Sequence, residues 1–445
     1  MTGLLLFLNF FNIIFFRKNW KKLFYLLIFF LPYLGYIQLQ ISQYTVLSPL
    51  IHDIIFIVPL FIFFIIDRKK IDFFPQDLKK IIIFFIIILI IQFLNPFNNI
   101  GILGRLVGFK VWFFYFFFIL VGYHLISNNN DLKKFCNIFS KFAIVPFIIG
   151  SLIYISYYLF GFQQTMTFFY GDFSIASKAT QNFAKFDYGS FSYFRNPSTF
   201  SYSAQYLNYC LIVLITSFTS YFLSKTTKEK NFYKLLIIFT LISAFLTGNR
   251  GSIVYISIFL IIFFFQKYQL KDIKFAFVKI ILIFLFLIFI YNNIPMIKEI
   301  VSLGQLYTTN TFFSNFSENI LNYFLGSGLG NSTSGVRYLE GNKLNMINEG
   351  LYWKVIVELG FFGLIVFLSL FLNYLKQIKI VKKKLSTYNE INFCYCFYAF
   401  ILFQIIAGFK SWVYFEGYPS NFIFFLLLGI IIKLGTDDYI KNSYR

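Results

Sequence analysis

The sequence predicts an all-α polytopic integral membrane protein, with about twelve transmembrane helices and two long outer loops. Three observations predict it. Of 445 residues, 58% are hydrophobic and only 13% charged, roughly half the charged share of a soluble domain. Mean hydropathy is +0.71. Apolar runs recur from end to end, with basic residues gathered in alternate gaps between them. A soluble enzyme, a disordered chain and a secreted disulfide scaffold are excluded.

The runs follow in order. They cover 23–39, 51–66, 81–95, 110–127, 142–161, 200–223, 235–248, 252–266, 279–292, 351–373, 393–409 and 420–434. Lipid cannot satisfy exposed backbone groups, so each long run is expected to be a helix. Several fall short of about 20 residues, so their ends are expected to extend into the flanking loops. Residues 4–16 have no basic segment before them and no small-residue cleavage site after them. They read as an interfacial helix or a short further span, not a cleaved signal. All of 1–445 is expected to form a single transmembrane domain.

Charge sets the orientation. Arg17–Lys22, Arg68–Lys80, Lys133–Lys141, Lys225–Lys234, Lys267–Lys279, Lys376–Lys384 and the tail Lys433–Arg445 hold 28 of the 39 Lys and Arg residues. The positive-inside rule puts this set, and the C-terminus, in the cytoplasm. It also accounts for the net charge of +21 without nucleic acid as a partner. The outer side then carries the two long loops, 162–199 and 293–350. The cytoplasmic loops are too short for a nucleotide-binding domain, so any chemistry faces outward. Cys136, Cys210, Cys394 and Cys396 lie in or beside apolar segments and read as small core residues.

The first outer loop is rich in rings, among them Phe162, Phe168, Tyr170 and Phe194, interleaved with amides such as Gln163 and Asn196. Such a texture suits sugar rings. An interfacial aromatic belt in a Phe-rich chain explains it as well, and composition favours the belt. Arg195 follows in Phe-Arg-Asn-Pro-Ser-Thr-Phe, just before an apolar run. A helix start beside an arginine makes a seat for an anion; the alternative is an arginine reaching for lipid headgroups.

Arg250, in Thr-Gly-Asn-Arg-Gly-Ser, is the only basic residue between Lys234 and Lys267. Ionisable groups near membrane depth are costly, which favours a functional reading. The second outer loop holds Gly326-Ser-Gly-Leu-Gly330, then Arg337, Glu340, Lys343 and Glu349. With no βαβ pattern around it, the glycine run reads as a turn and not a dinucleotide site. Glu349 precedes the run 351–373, where a carboxylate also suits a helix N-terminus. His52 and His124 stand in separate spans without carboxylate or cysteine partners, so no metal site is expected.

Three segments together resemble the O-antigen polymerase and O-antigen ligase superfamily. They are Arg195-Asn-Pro with Thr199-Phe-Ser-Tyr, then Leu-Thr-Gly-Asn-Arg250-Gly-Ser, then Gly-Ser-Gly-Leu-Gly followed by Glu349-Gly-Leu-Tyr-Trp-Lys-Val-Ile-Val-Glu358-Leu-Gly-Phe-Phe-Gly363. The resemblance implies an inverting, metal-independent glycosyltransferase without cofactor in a bacterial inner membrane. It takes glycan from an undecaprenyl-diphosphate carrier on the periplasmic side. The family's diphosphate-gripping arginines match Arg195 and Arg250, and a loop arginine matches Arg337. Family ligases carry His-Asn where this chain has Glu349 and Gly350. That departure favours a polymerase, with Glu349 as the candidate base and Arg250 beside the reacting centre.

The partners so implied are an undecaprenyl-diphosphate-linked oligosaccharide, membrane lipid and, as a candidate, a chain-length regulator. A ligase or related glycan transferase is the first alternative. A polysaccharide flippase or transporter is the second, although its spans would carry more ionisable residues than the few, such as Lys354, found here.

Overall fold

A computed structural model of the chain describes residues 2–16, 19–41, 53–66, 75–171, 185–188, 191–249, 252–267, 324–333, 336, 350–385, 388–409 and 419–436. The expected run 279–292 and most of the second outer loop lie outside these residues, as do 172–184 and 189–190 of the first. Every other expected run coincides with a helix. Among the described residues, six helical stretches are long and apolar enough to cross a membrane: Trp20–Ile41, Ile102–Leu125, Asn129–Phe160, Ser203–Leu223, Leu351–Lys384 and Glu390–Ala407. The chain is a membrane-embedded helical protein.

The chain falls into two compact units, one of Met1–Pro75, Phe116–Ser252 and Gly417–Arg445, the other of Gln76–Tyr115 and Ile253–Glu416. The first holds α1 (Thr2–Phe16), α2 (Trp20–Ile41) and α3 (Asp53–Ile66). The second holds α4 (Gln76–Phe93) and α5 (Ile102–Phe113). The chain returns to the first unit for α6 (Phe117–Leu125), α7 (Asn129–Phe142), α8 (Ile144–Phe160) and α9 (Phe162–Tyr170). A hairpin follows, β1 (Lys185–Tyr188) antiparallel to β2 (Phe191–Phe194), with Lys185 opposite Phe194. Then come α10 (Ser203–Leu223), α11 (Thr227–Leu246) and α12 (Ser252–Lys267), whose body lies in the second unit. That unit also holds α13 (Leu351–Lys384) and α14 (Tyr388–Ala407), and α15 (Ser420–Leu434) closes the first.

In the first unit α10 is buried on nearly every side from Tyr206 to Ser220. A helix apolar all round belongs at the centre of a bundle. Small hydroxyls join it to α7: Ser140 donates to Thr216 at 2.9 Å and accepts from Ser217 at 3.3 Å. Close packing of α6 on α15 depends on two glycines. A Cβ at Gly122 would strike the Leu426 carbonyl, and one at Gly429 would strike the Ile119 carbonyl. Small residues at such crossings are what helix association in lipid favours. The 4–16 segment is a helix, α1, bound to α3 by Asn9 and Asn12, which donate to the Ile54 and Ile55 carbonyls at 2.8 Å each.

In the second unit α4 shows the membrane pattern. Phe85, Leu89 and Gln92 are buried, while Ile83, Ile87, Ile90 and Ile91 are exposed. The spacing is helical, and the exposed apolar face suits lipid in place of water. At one end of this unit Lys376 pairs with Asp77 at 2.8 Å. In the first unit Lys133 pairs with Glu229 at 3.1 Å, and Lys21 lies 4.0 Å from Asp131. Within each unit, segments assigned to one side by charge therefore meet. The paired lysines hold the Asp77 and Glu229 carboxyls below their ordinary range, chiefly by direct hydrogen bonds.

Candidate functional site

Of the four expected site residues, Arg195 is described. Arg250, Arg337 and Glu349 lie outside the described residues, although their neighbours are within them.

Arg195 stands where β2 turns toward α10 and is half-buried. The residues around it are fixed tightly. Phe194 is fully buried, its ring stacked on Tyr157 at 4.6 Å and 10°. Asn196, also fully buried, donates through Nδ2 to the Gly150 carbonyl of α8 at 2.6 Å and accepts from the Ser198 N–H at 2.9 Å. Ser198 has φ of +51° and donates through its hydroxyl to the Pro146 carbonyl at 2.6 Å. Tyr170 OH donates to the Ser198 carbonyl at 2.9 Å. The Asn196, Ser198 and Tyr170 side chains are all hydrogen-bonded in a buried setting, where an unpaired group is costly.

The second arginine motif meets this turn. Asn196 N–H donates to the Thr247 carbonyl at 2.9 Å. Gly248, at φ +63°, backs directly onto the Phe194 carbonyl, and a Cβ there would also lie 3.0 Å from Arg195 Cα. Only glycine fits that conformation and that approach. Thr247 Oγ1 accepts from the Asn249 N–H at 3.2 Å, one residue before Arg250. Two motifs distant in sequence thus share one backbone junction.

Sugar stacking by the first outer loop finds less support. Tyr170 and Phe194 are core residues, packed with Leu39, Ile153, Tyr157 and Met166. Phe168 is exposed.

In the second unit the glycine run is a rigid turn. Gly326, Gly328 and Gly330 all have positive φ. Gln92 Nε2 donates to the Leu325 carbonyl at 2.6 Å, Asn95 Nδ2 to that of Gly326 at 3.1 Å and Asn98 Nδ2 to that of Leu329 at 2.9 Å. Ser327 N–H and Oγ both donate to the Val357 carbonyl, at 2.7 and 2.8 Å. That carbonyl belongs to α13 just before its break at Gly360, whose φ is +75°. A Cβ at Gly360 would lie 2.7 Å from the Phe324 carbonyl oxygen.

The N-cap of α13 is Gly350, and the first helical N–H, of Leu351, donates to the Gly408 carbonyl at 2.8 Å. That bond satisfies one of the N–H groups left open at the helix start.

Sequence reasoning missed several residues. Arg105 closes the 93–100 turn by donating to the Phe93, Asn95, Asn98 and Ile100 carbonyls at 2.6–3.2 Å. Glu358 and Lys354, both buried in α13, belong to a polar network with Trp112 and Thr333. Two charges one helical turn apart in an apolar run were the available signal. Among the described residues, no three His, Cys, Asp or Glu side chains converge as metal ligands would.

No family model matches the chain, and no curated protein matches it.

Proposed function

We propose that this protein is a lipid-linked polysaccharide polymerase, an inverting glycosyltransferase that joins undecaprenyl-diphosphate-linked repeat units on the outer side of a bacterial inner membrane. The observation that carries the reading is the junction of the Arg195 and Arg250 motifs through Asn196, Thr247 and Gly248. It joins the backbone beside Arg195 to Thr247 and Gly248, which stand three and two positions before Arg250 in the sequence, and a pair of cations suits a diphosphate.

The chemistry follows from the leaving group. The acceptor hydroxyl oxygen attacks the anomeric carbon of the donor glycan as the bond to the diphosphate oxygen breaks, and the electron pair leaves with the carrier. Negative charge grows on that diphosphate, and preorganised guanidinium groups stabilise it with paired hydrogen bonds. In this reading Arg195 and Arg250 hold the diphosphate and Arg337 adds charge. Glu349 takes the hydroxyl proton from the face opposite the leaving group, as inversion requires.

The test is a reconstituted assay with purified protein and one substrate, the undecaprenyl-diphosphate-linked repeat unit, without lipid A–core or acceptor protein. A ladder of carrier-linked oligomers that Arg250→Ala abolishes is the expected result. Transfer only when lipid A–core is supplied makes the protein a ligase. No transfer in either case, from a folded sample with the correct repeat unit, overturns the transferase reading in favour of a transporter. Full activity in Glu349→Gln overturns the assignment of the base.

A further inference from the structure

We propose that Glu358 is a positioning residue, whose buried carboxylate latches the chain leaving the glycine turn and so sets the start of the segment that carries Arg337. The catalytic part of this proposal rests on the polymerase reading; the latch itself does not.

Glu358 is fully buried within an apolar helix. Its two oxygens act only as acceptors. Oε2 takes the Trp112 indole N–H at 2.6 Å. Oε1 takes the Ser332 backbone N–H at 2.8 Å and the Thr333 hydroxyl at 2.9 Å. Thr333 Oγ1 in turn accepts from Lys354 Nζ at 3.3 Å, and that ammonium sits 5.7 Å from the centre of the Trp112 ring. Trp112 is wedged edge-on between Phe85 and Phe367. One oxygen is therefore anchored to a rigid tryptophan, and the other grips two successive residues of the loop.

A span that needed only packing would carry leucine here, since a buried charge must recover its desolvation cost through several good partners. Both donors to Oε1, Ser332 and Thr333, are on the route out of the Gly326–Gly330 turn. Ser327 is already tied to Val357, so the chain is held at both ends of the stretch 327–333. Thr333 precedes Arg337 by four positions. Small displacements of a group far from the reacting atoms cost about 10²-fold in rate.

The experiment uses the full chain in lipid nanodiscs and compares wild type with Glu358→Gln, Thr333→Val and Thr333→Ser. Each sample is first shown to be monodisperse with a cooperative melt. Hydrogen exchange over the peptide 326–333 reads the latch without any substrate. Turnover of the carrier-linked repeat unit reads its consequence. Glu358→Gln and Thr333→Val are expected to raise exchange in that peptide. They are also expected to lower kcat by about 10–100-fold with KM nearly unchanged. Thr333→Ser, which keeps the hydroxyl, should retain wild-type behaviour and so covers the case in which Glu358→Gln does not fold. Unchanged exchange in the folded variants overturns the latch. Raised exchange with wild-type kcat overturns the positioning role while leaving the polymerase standing. Raised exchange in a chain whose wild type does not polymerise overturns the catalytic consequence and the polymerase reading together, while the latch stands.

Discussion

Asn196 donates its backbone N–H to the carbonyl of Thr247 at 2.9 Å, and this bond fastens the turn after β2 to the end of α11. The Asn196 side chain reaches the other way, to Gly150 of α8. One residue beside Arg195 therefore holds two helices in place.

Gly248→Ala should break this junction. The substitution meets a positive φ and a direct clash with the Phe194 carbonyl. Strain and overpacking of this kind cost about 1–3 kcal/mol. A lower melting midpoint in detergent is expected, along with loss of glycan transfer. An unchanged melt would show that the two turns are not coupled in the folded protein.

Arg195→Lys should lose more activity than a charge-conserving change at an exposed site, because an ammonium cannot offer the planar paired contact. Arg195→Ala is expected to lose about 10²–10³-fold in kcat, in the range for removing one donor from a developing oxyanion. Rates of carrier-linked oligomer formation decide it. Equal rates for Arg195→Ala and wild type would remove this arginine from the site.

Gly429→Ala and Gly122→Ala each force α6 and α15 apart. Each is expected to destabilise the chain by about 1–3 kcal/mol, read as a lower midpoint in thermal size-exclusion. Both glycines serve the same crossing, so the double variant should cost less than the sum. Strict additivity would argue against a shared crossing.

The Asp77–Lys376 and Glu229–Lys133 pairs should make a small, pH-dependent contribution to stability. Both carboxyls titrate lower in the folded chain than their ordinary values of 3.8 and 4.5. Their contribution is thus complete above those values and disappears as pH falls through the lowered ones. The pairs are solvent-facing, so the effect is modest and salt weakens it. Melting midpoints of Asp77→Asn and Glu229→Gln should sit slightly below wild type at neutral pH and converge with it in acid. A gap that persists in acid would assign the loss to packing instead.

Helices were more legible in the sequence than the contacts between them. The run 420–434 matches α15 residue for residue, because Pro419 and Gly435 bracket it. The run 81–95 extends back to Gln76, as its short length led one to expect, and α4 carries Asp77, Lys79 and Lys80 in its first turns. Polar residues at a membrane boundary continue a helix as readily as they end one. Likewise α13 runs to Lys384, past the expected end at 373, since lysine is a good helix former. Arg195 was visible as an isolated charge beside a helix start. Its junction with Gly248 was not, because nothing local in either motif points to the other. Glu358 stayed hidden for the same reason: its donors come from Trp112 and from Ser332 and Thr333. Rings were uninformative in another way, as Phe194 and Tyr170 show, because aromatic composition does not say which face is buried.

The break at Gly360 bears on how the chain is made. Beyond it, the lysine-free part of the helix, residues 361–375, spans about 22 Å, short of a hydrocarbon core of about 30 Å. The stretch before the break, which carries Lys354 and Glu358, must therefore share the crossing. A ribosome delivers Trp112 first, then the glycine turn with Ser332 and Thr333, and only afterwards Lys354 and Glu358. When the two charged side chains emerge, the groups that receive them have already been synthesised. The order of synthesis spares the carboxylate and the ammonium from waiting alone in lipid.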